Sequence, residues 1–91
     1  MLNKLRNFHF IGIGGAGMSA IAHVLIKRGY NVSGSDINAG RVSARLASEG
    51  AMVFMGHDAC QVSDADAEAV VVSTAIKADN PEVVAAKEQN I

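Results

Sequence analysis

At 91 residues, 49% hydrophobic and 19% charged with a mean hydropathy of +0.21, the chain has the length and apolar content of one small folded domain, which excludes a disordered chain and a multi-domain enzyme. Eight Lys and Arg against nine Asp and Glu leave a net charge of −1, and no basic cluster exceeds Lys27-Arg28, so there is no electrostatic footprint for nucleic acid. Cys60 is the only cysteine, which excludes an internal disulfide, and the apolar runs fall short of the roughly 18 residues that span a bilayer; the expectation is a cytoplasmic protein with no membrane partner.

Phe8 to Ile13 is a short apolar run ending in a glycine cluster and reads as a buried strand. From Ala16 to Arg28, Met18, Ile21, Ala22, Leu25 and Ile26 recur at helical spacing and Gly29 stops the pattern, which predicts an amphipathic helix. Tyr30 to Gly34, leading into Ser35-Asp36, is a second strand candidate that is short and polar, supported by its place in the pattern more than by its residues. Val42 and Leu46 share one face of a helix over Arg41 to Glu49, followed by Gly50. Met52 to Met55 reads as a third strand, Cys60 to Glu68 as a short helix or loop, and the valine run in Ala69 to Ser73 as a fourth strand. Asn80-Pro81-Glu82 supplies an N-cap, a proline at the first helical position and an acid in the first turn, so a last helix runs from there towards Gln89. Strands alternating with helices in this way predict an α/β, Rossmann-like parallel sheet of about four strands with helices on both faces.

Gly12-Ile13-Gly14-Gly15-Ala16-Gly17 fits G-x-G-x-x-G where a strand leads into a helix. In that context Gly12 permits a tight turn, Gly14 lets backbone N–H groups approach a phosphate, and Gly17 lets the helix lie close to the strand. A pyrophosphate would sit at the helix start, where unpaired N–H groups and the helix dipole favour negative charge. Asp36 follows about 20 residues on, at the end of the second strand, where such folds place an acid over a ribose hydroxyl. A UDP-sugar and NAD share those groups, so the residues alone leave both open. The plain alternatives are a ligand-free strand-to-helix turn and, for Asp36, a solvated or locally capping side chain.

The run from His9 through Gly12 to Ser19, with Gly34-Ser35-Asp36, Gly56-His57 and Val71 to Ile76, resembles the N-terminal domain of the Mur ligases, the amide-forming ligases of peptidoglycan synthesis. The likeness spans nearly all of residues 1–91, is strongest to members that act on UDP-N-acetylmuramate and L-alanine, and departs at Ala20, where relatives usually carry glycine. It implies a domain that holds the UDP moiety of UDP-N-acetylmuramate, with Gly14, Gly15, Ala16, Gly17, Met18 and Ser19 along the diphosphate. Ser35, Asp36 and Ile37 would approach the uridine, and His57 with Ser73, Thr74 and Ala75 would close the other side. In the family ATP and Mg²⁺ turn the lactyl carboxylate into an acyl phosphate that the alanine amine attacks. No G-x-x-x-x-G-K-[ST] run occurs here, so the expectation is an excised substrate-binding domain, inactive alone, with no cofactor of its own, its ATP and L-alanine sites lying in central and C-terminal domains. The family's murein-peptide recycling ligase, an NAD(P)-binding domain of an oxidoreductase and a regulatory nucleotide module are the alternatives.

His9 and His23 have no ligand partners at metal spacing and read as structural or exposed, whereas His57 follows a strand end beside a glycine. Met18, Met52 and Met55 read as core filler, Cys60 as unactivated, and Asp58, Asp64 and Asp66 as a solvated acidic edge without an EF-hand pattern.

Overall fold

A computed structural model describes residues 6–37 and 40–91, apart from the Ala16 side chain. Four strands, β1 (Asn7–Ile11), β2 (Asn31–Asp36), β3 (Met52–Met55) and β4 (Ala69–Val72), alternate with helices α1 (Ala16–Lys27), α2 (Arg41–Ser48), α3 (Cys60–Asp64) and α4 (Pro81–Glu88). All strand pairs are parallel, in the order β3-β2-β1-β4, with Phe8 opposite both Val32 and Ala69. The Rossmann-like α/β expectation holds, most element ends move by no more than two residues, and in the Cys60 to Glu68 segment the helix stops at Asp64. At β1, Gly12 and Ile13 leave the strand and donate to Ser35 O at 2.8 and 3.0 Å.

The strand order reverses direction once. From β1 the chain steps outward through α1 to β2 and through α2 to β3, then returns through α3 to β4 on the far side of β1. Right-handed crossovers therefore place α1 and α2 on one face and α3 and α4 on the other. Their contacts agree, since α1 packs against α2 and α3 against α4.

Residues alternate across β1, so its two faces meet different partners. Phe8 and Phe10 join Ile13, Met18, Ala22, Val32, Leu46 and Ala51 in the apolar core beneath α1 and α2, with Phe8 edge-on to Tyr30 at 5.3 Å. A fully buried side chain such as Phe10 contributes roughly 1.5–3 kcal/mol over its exposed state. His9 lies on the opposite face with Ser33 and Ser35 of β2, all buried, under Glu82 of α4. This explains the weak signal of β2: its serines serve a hydrogen-bonded layer, and Gly34 is where Ile13 presses on the strand. A Cβ on Gly34 would stand 2.6 Å from Ile13 and 2.9 Å from Phe10 O.

Three packing expectations are corrected. Ile21 is exposed, because the buried stripe of α1 runs through Met18 and Ala22 with Leu25 and Ile26 alongside. Met52 and Met55 are exposed on the edge strand β3, so only Met18 fills the core. Gly17 gives no close approach between helix and strand, since a Cβ there would meet nothing within 4 Å.

Candidate functional site

Where a parallel sheet reverses its strand order, the loops leaving the two central strands diverge and open a crevice at their C-terminal ends. Here those strands are β1 and β4, and a cleft of about 440 Å³ opens above them. Gly12, Gly14 and Gly15 come from the turn after β1, Asp36 and Ile37 from the end of β2, and Ser73, Ala75 and Ile76 from the loop after β4. Gly40, Arg41, Val42 and Ser43, at the start of α2, form a further wall, and His57 reaches in from beyond β3.

The glycine turn is built as its pattern requires. Gly12 has φ +82°, in the left-handed region, and Gly15 N–H donates back to Gly12 O at 3.1 Å. Gly15 caps α1 in extended geometry with no side-chain cap, and no acid occupies the first turn. Helix α2 likewise begins at Gly40 with no side-chain cap and no first-turn acid. Two helix starts with positive dipole ends therefore border one cleft, and Arg41 adds a full charge.

Asp36 departs from the simple expectation. Its carboxylate turns onto the glycine turn and accepts from Gly14 N–H at 2.8 Å through Oδ2. A Cβ at Gly14 would stand 2.7 Å from that oxygen and 3.2 Å from Ser43 Oγ, so the glycine admits the acid. The acid thus sits against the N–H that the pattern reserves for a phosphate.

Beneath His57 lies a polar layer that the sequence reading treats only as separate residues. His9 Nε2 contacts Glu82 Oε1 at 2.5 Å and His9 Nδ1 contacts Ser33 Oγ at 2.7 Å. Glu82 Oε2 is 3.0 Å from His57 Nδ1 and accepts from Asp58 N–H at 3.3 Å, while Ser35 Oγ is 2.8 Å from the same His57 nitrogen. With its amide nitrogen facing these acceptors, Gln61 donates to Glu82 Oε2 at 3.3 Å and Gly56 O at 3.2 Å. Burial pushes the Glu82 carboxyl up, but hydrogen bonds from His9, Ser35 and His57 outweigh it and hold the group below its ordinary 4.5. Glu82 is therefore a buried, charged acceptor with donors on both oxygens.

The structure gathers Gly14, Gly15, Asp36, Ile37, His57, Ser73 and Ala75 at the cleft. Ser35 lies just below, wholly buried against His57. The side chain of Ala16 falls outside the described residues. Gly17 is exposed at the helix start, Met18 points into the core, Ser19 lines a groove between α1 and α2, and Thr74 is exposed. None of these four lines the cleft with its side chain. Arg41, Ser43 and Ile76 line it unforeseen; their signal was positional, since loops after parallel strands form the crevice. Glu82 was legible only as a first-turn acid. Of the remaining candidates, His23 pairs with Glu49 at 2.7 Å on the surface, and Asp58, Asp64 and Asp66 are exposed. The Asp58 carboxylate beside the exposed Cys60 pushes its thiol up, away from thiolate character. Among the described residues no group of three His, Cys, Asp or Glu is placed to hold a metal, and no helix is long and apolar enough to cross a membrane.

A family model described as "Mur ligase family, catalytic domain" matches residues 7–91. The chain belongs to the Mur ligase family. Across all 91 residues it is 58% identical to the UDP-N-acetylmuramate–L-alanine ligase of Cupriavidus taiwanensis, of which it covers 19%. Among solved members of the family, the UDP-N-acetylmuramate-alanine ligase of Thermotoga maritima superposes with a TM-score of 0.85 at 38% identity, over 93% of this chain and 19% of that one. The UDP-N-acetylmuramate:L-alanyl-gamma-D-glutamyl-meso-diaminopimelate ligase of Neisseria meningitides superposes at 0.86 with 30% identity, over 96% and 27%. The chain spans about a fifth of the length of the curated relatives it matches.

Proposed function

We propose that these residues are the UDP-sugar-binding domain of an ATP-dependent ligase that joins L-alanine to UDP-N-acetylmuramate in cytoplasmic peptidoglycan synthesis. The observation that carries this reading is the uncapped glycine turn at the switch point of the sheet, in a chain 58% identical to an enzyme named for that reaction. A diphosphate would lie over Gly14 to Ser19, taking N–H groups of the α1 start, with Arg41 offsetting its charge. Its arrival requires the Asp36 carboxylate to turn off Gly14 N–H, which frees that acid for a ribose hydroxyl near Ser35 and Ile37. His57 and the Ser73 to Ala75 loop would close over the nucleoside. These groups bind and orient, and they activate nothing.

ATP and Mg²⁺ do not fit the 91 residues, which contain no P-loop lysine, so the chemical step and the L-alanine site belong to the rest of the longer enzyme. The ligase that adds a whole peptide to the same sugar nucleotide has an equally similar backbone, but the higher identities favour the L-alanine reaction.

The test is a calorimetric titration of UDP-N-acetylmuramate and, separately, NAD⁺, with Gly15→Val as control. Saturable binding of the UDP-sugar, weakened at least about tenfold in the variant that places bulk over the turn, is expected. Saturable NAD⁺ binding with no response to the UDP-sugar would sink the reading.

A further inference from the structure

We propose that Glu82 is the positioning residue of the cleft: its buried carboxylate holds the His57 ring through Nδ1–H, so that Nε2 presents a lone pair to a donor group of the bound nucleotide. This rests on the nucleotide reading above only for the ligand; the hold on His57 stands on geometry.

Glu82 is a charged acceptor with no proton to give, so a ring nitrogen 3.0 Å from its Oε2 must carry the hydrogen. That nitrogen is His57 Nδ1. Ser35 Oγ, 2.8 Å from the same nitrogen, shares the N–H as a second acceptor. Asp58 N–H donates to Glu82 Oε2 at 3.3 Å, which fixes the backbone just after His57 as well as the ring. In a neutral imidazole the hydrogen on Nδ1 leaves Nε2 bare, and no hydrogen bond from a described residue reaches Nε2. His57 keeps 13% of its side chain exposed while Glu82 keeps none, so the ring stands between the buried acid and the cleft it lines. An acceptor at this point selects a ligand hydroxyl or imide N–H and disfavours a phosphate oxygen.

The other oxygen of Glu82 makes the proposal testable. Oε1 takes one donor, His9 Nε2, and that ring can reverse its tautomer, because Ser33 Oγ already has a carbonyl within reach, Phe8 O at 3.4 Å. A glutamine at 82 can therefore aim its amide nitrogen at His9 and keep its oxygen on His57 Nδ1 and Asp58 N–H. Alanine leaves Asp58 N–H without that acceptor and His57 Nδ1 with Ser35 Oγ alone.

The histidine tautomers are read from long-range ¹⁵N–¹H correlations of the chain at neutral pH, and binding is measured with UDP as the probe. His57 is expected on the Nδ1–H tautomer in the wild type and in Glu82→Gln, with His9 alone switching in the variant. Affinity for UDP should stay within about threefold in Glu82→Gln and fall about tenfold in Glu82→Ala and in His57→Ala, with no further loss in the double variant. N3-methyl-UDP and 2′-deoxy-UDP distinguish the two donors: the analogue that loses the His57 donor is unaffected by His57→Ala. An Nε2–H tautomer of His57 in the wild type, full UDP affinity in a folded Glu82→Ala, or additive losses in the double variant would each overturn the proposal. Where Glu82→Ala does not fold, the wild-type tautomer and the Glu82→Gln affinity decide it. A wild type with His57 on Nδ1–H but no response to UDP overturns the nucleotide reading and leaves the hold of Glu82 on His57 standing.

Discussion

Three glycines that look alike in the sequence carry different loads, and each difference can be measured. Gly34→Ala drives a methyl into Ile13 and the backbone oxygen of Phe10, neither of which can swing aside, so it should cost about 2–3 kcal/mol by denaturant unfolding. Gly14→Ala meets only the ends of the Asp36 and Ser43 side chains, which can turn away. It should cost no more than about 1 kcal/mol of stability through the lost hydrogen bond, while UDP binding falls about tenfold because the turn can no longer approach a phosphate closely. Gly17→Ala meets nothing and lies in α1, so it should raise stability by up to about 1 kcal/mol. The G-x-G-x-x-G pattern gives each of its glycines a role, and for Gly17 that role is a close approach of helix to strand. Only the tertiary structure separates a glycine needed for the turn and cleft from one whose Cβ would stand free.

At the scale of elements, α4 shows how a local signal and a tertiary role coincide. Asn80, Pro81 and Glu82 read as cap, first helical residue and first-turn acid, and Asn80 Oδ1 does accept from Glu82 N–H at 2.9 Å. Asn80→Ala should lower stability by about 1 kcal/mol in chemical unfolding. The acid itself turns inward to His9 and His57, which changes its pH behaviour. Its folded carboxyl lies below the ordinary 4.5, so it contributes stability that is fully present above 4.5 and lost as pH falls through the lower folded value. The gap in urea midpoint between wild type and Glu82→Gln should therefore be widest near neutrality and shrink below about pH 4.5; a gap that is constant with pH would contradict this. Strand β2 is the converse case. Its polar sequence hides a central strand, because the usual apolar signal is replaced by serines that bond within the layer and by a glycine that yields to Ile13. Propensity measures a side chain's fit to an average strand environment, and this environment is not average.

For the molecule as a whole, the proposed division of labour makes a simple prediction. The 91 residues should release no phosphate from ATP with or without UDP-N-acetylmuramate and L-alanine, since they supply nucleotide contacts and no P-loop lysine; steady phosphate release by the pure chain would refute it. The alternation of elements, the glycine turn and the resemblance were readable from residue order, because periodicity and turn chemistry are local properties. Among the described residues, the cleft gathers the glycine turn after β1 and Arg41 at its wall. Local order cannot determine which strand returns beside β1, because that depends on the long crossover from β3 to β4. The return creates the switch point and brings Arg41, His57 and Ile76 to one cleft. The buried charge beneath it also belongs to tertiary structure alone. Glu82 lies 73 residues from His9 in the chain, and only folding removes water from both and leaves each as the other's hydrogen-bond partner.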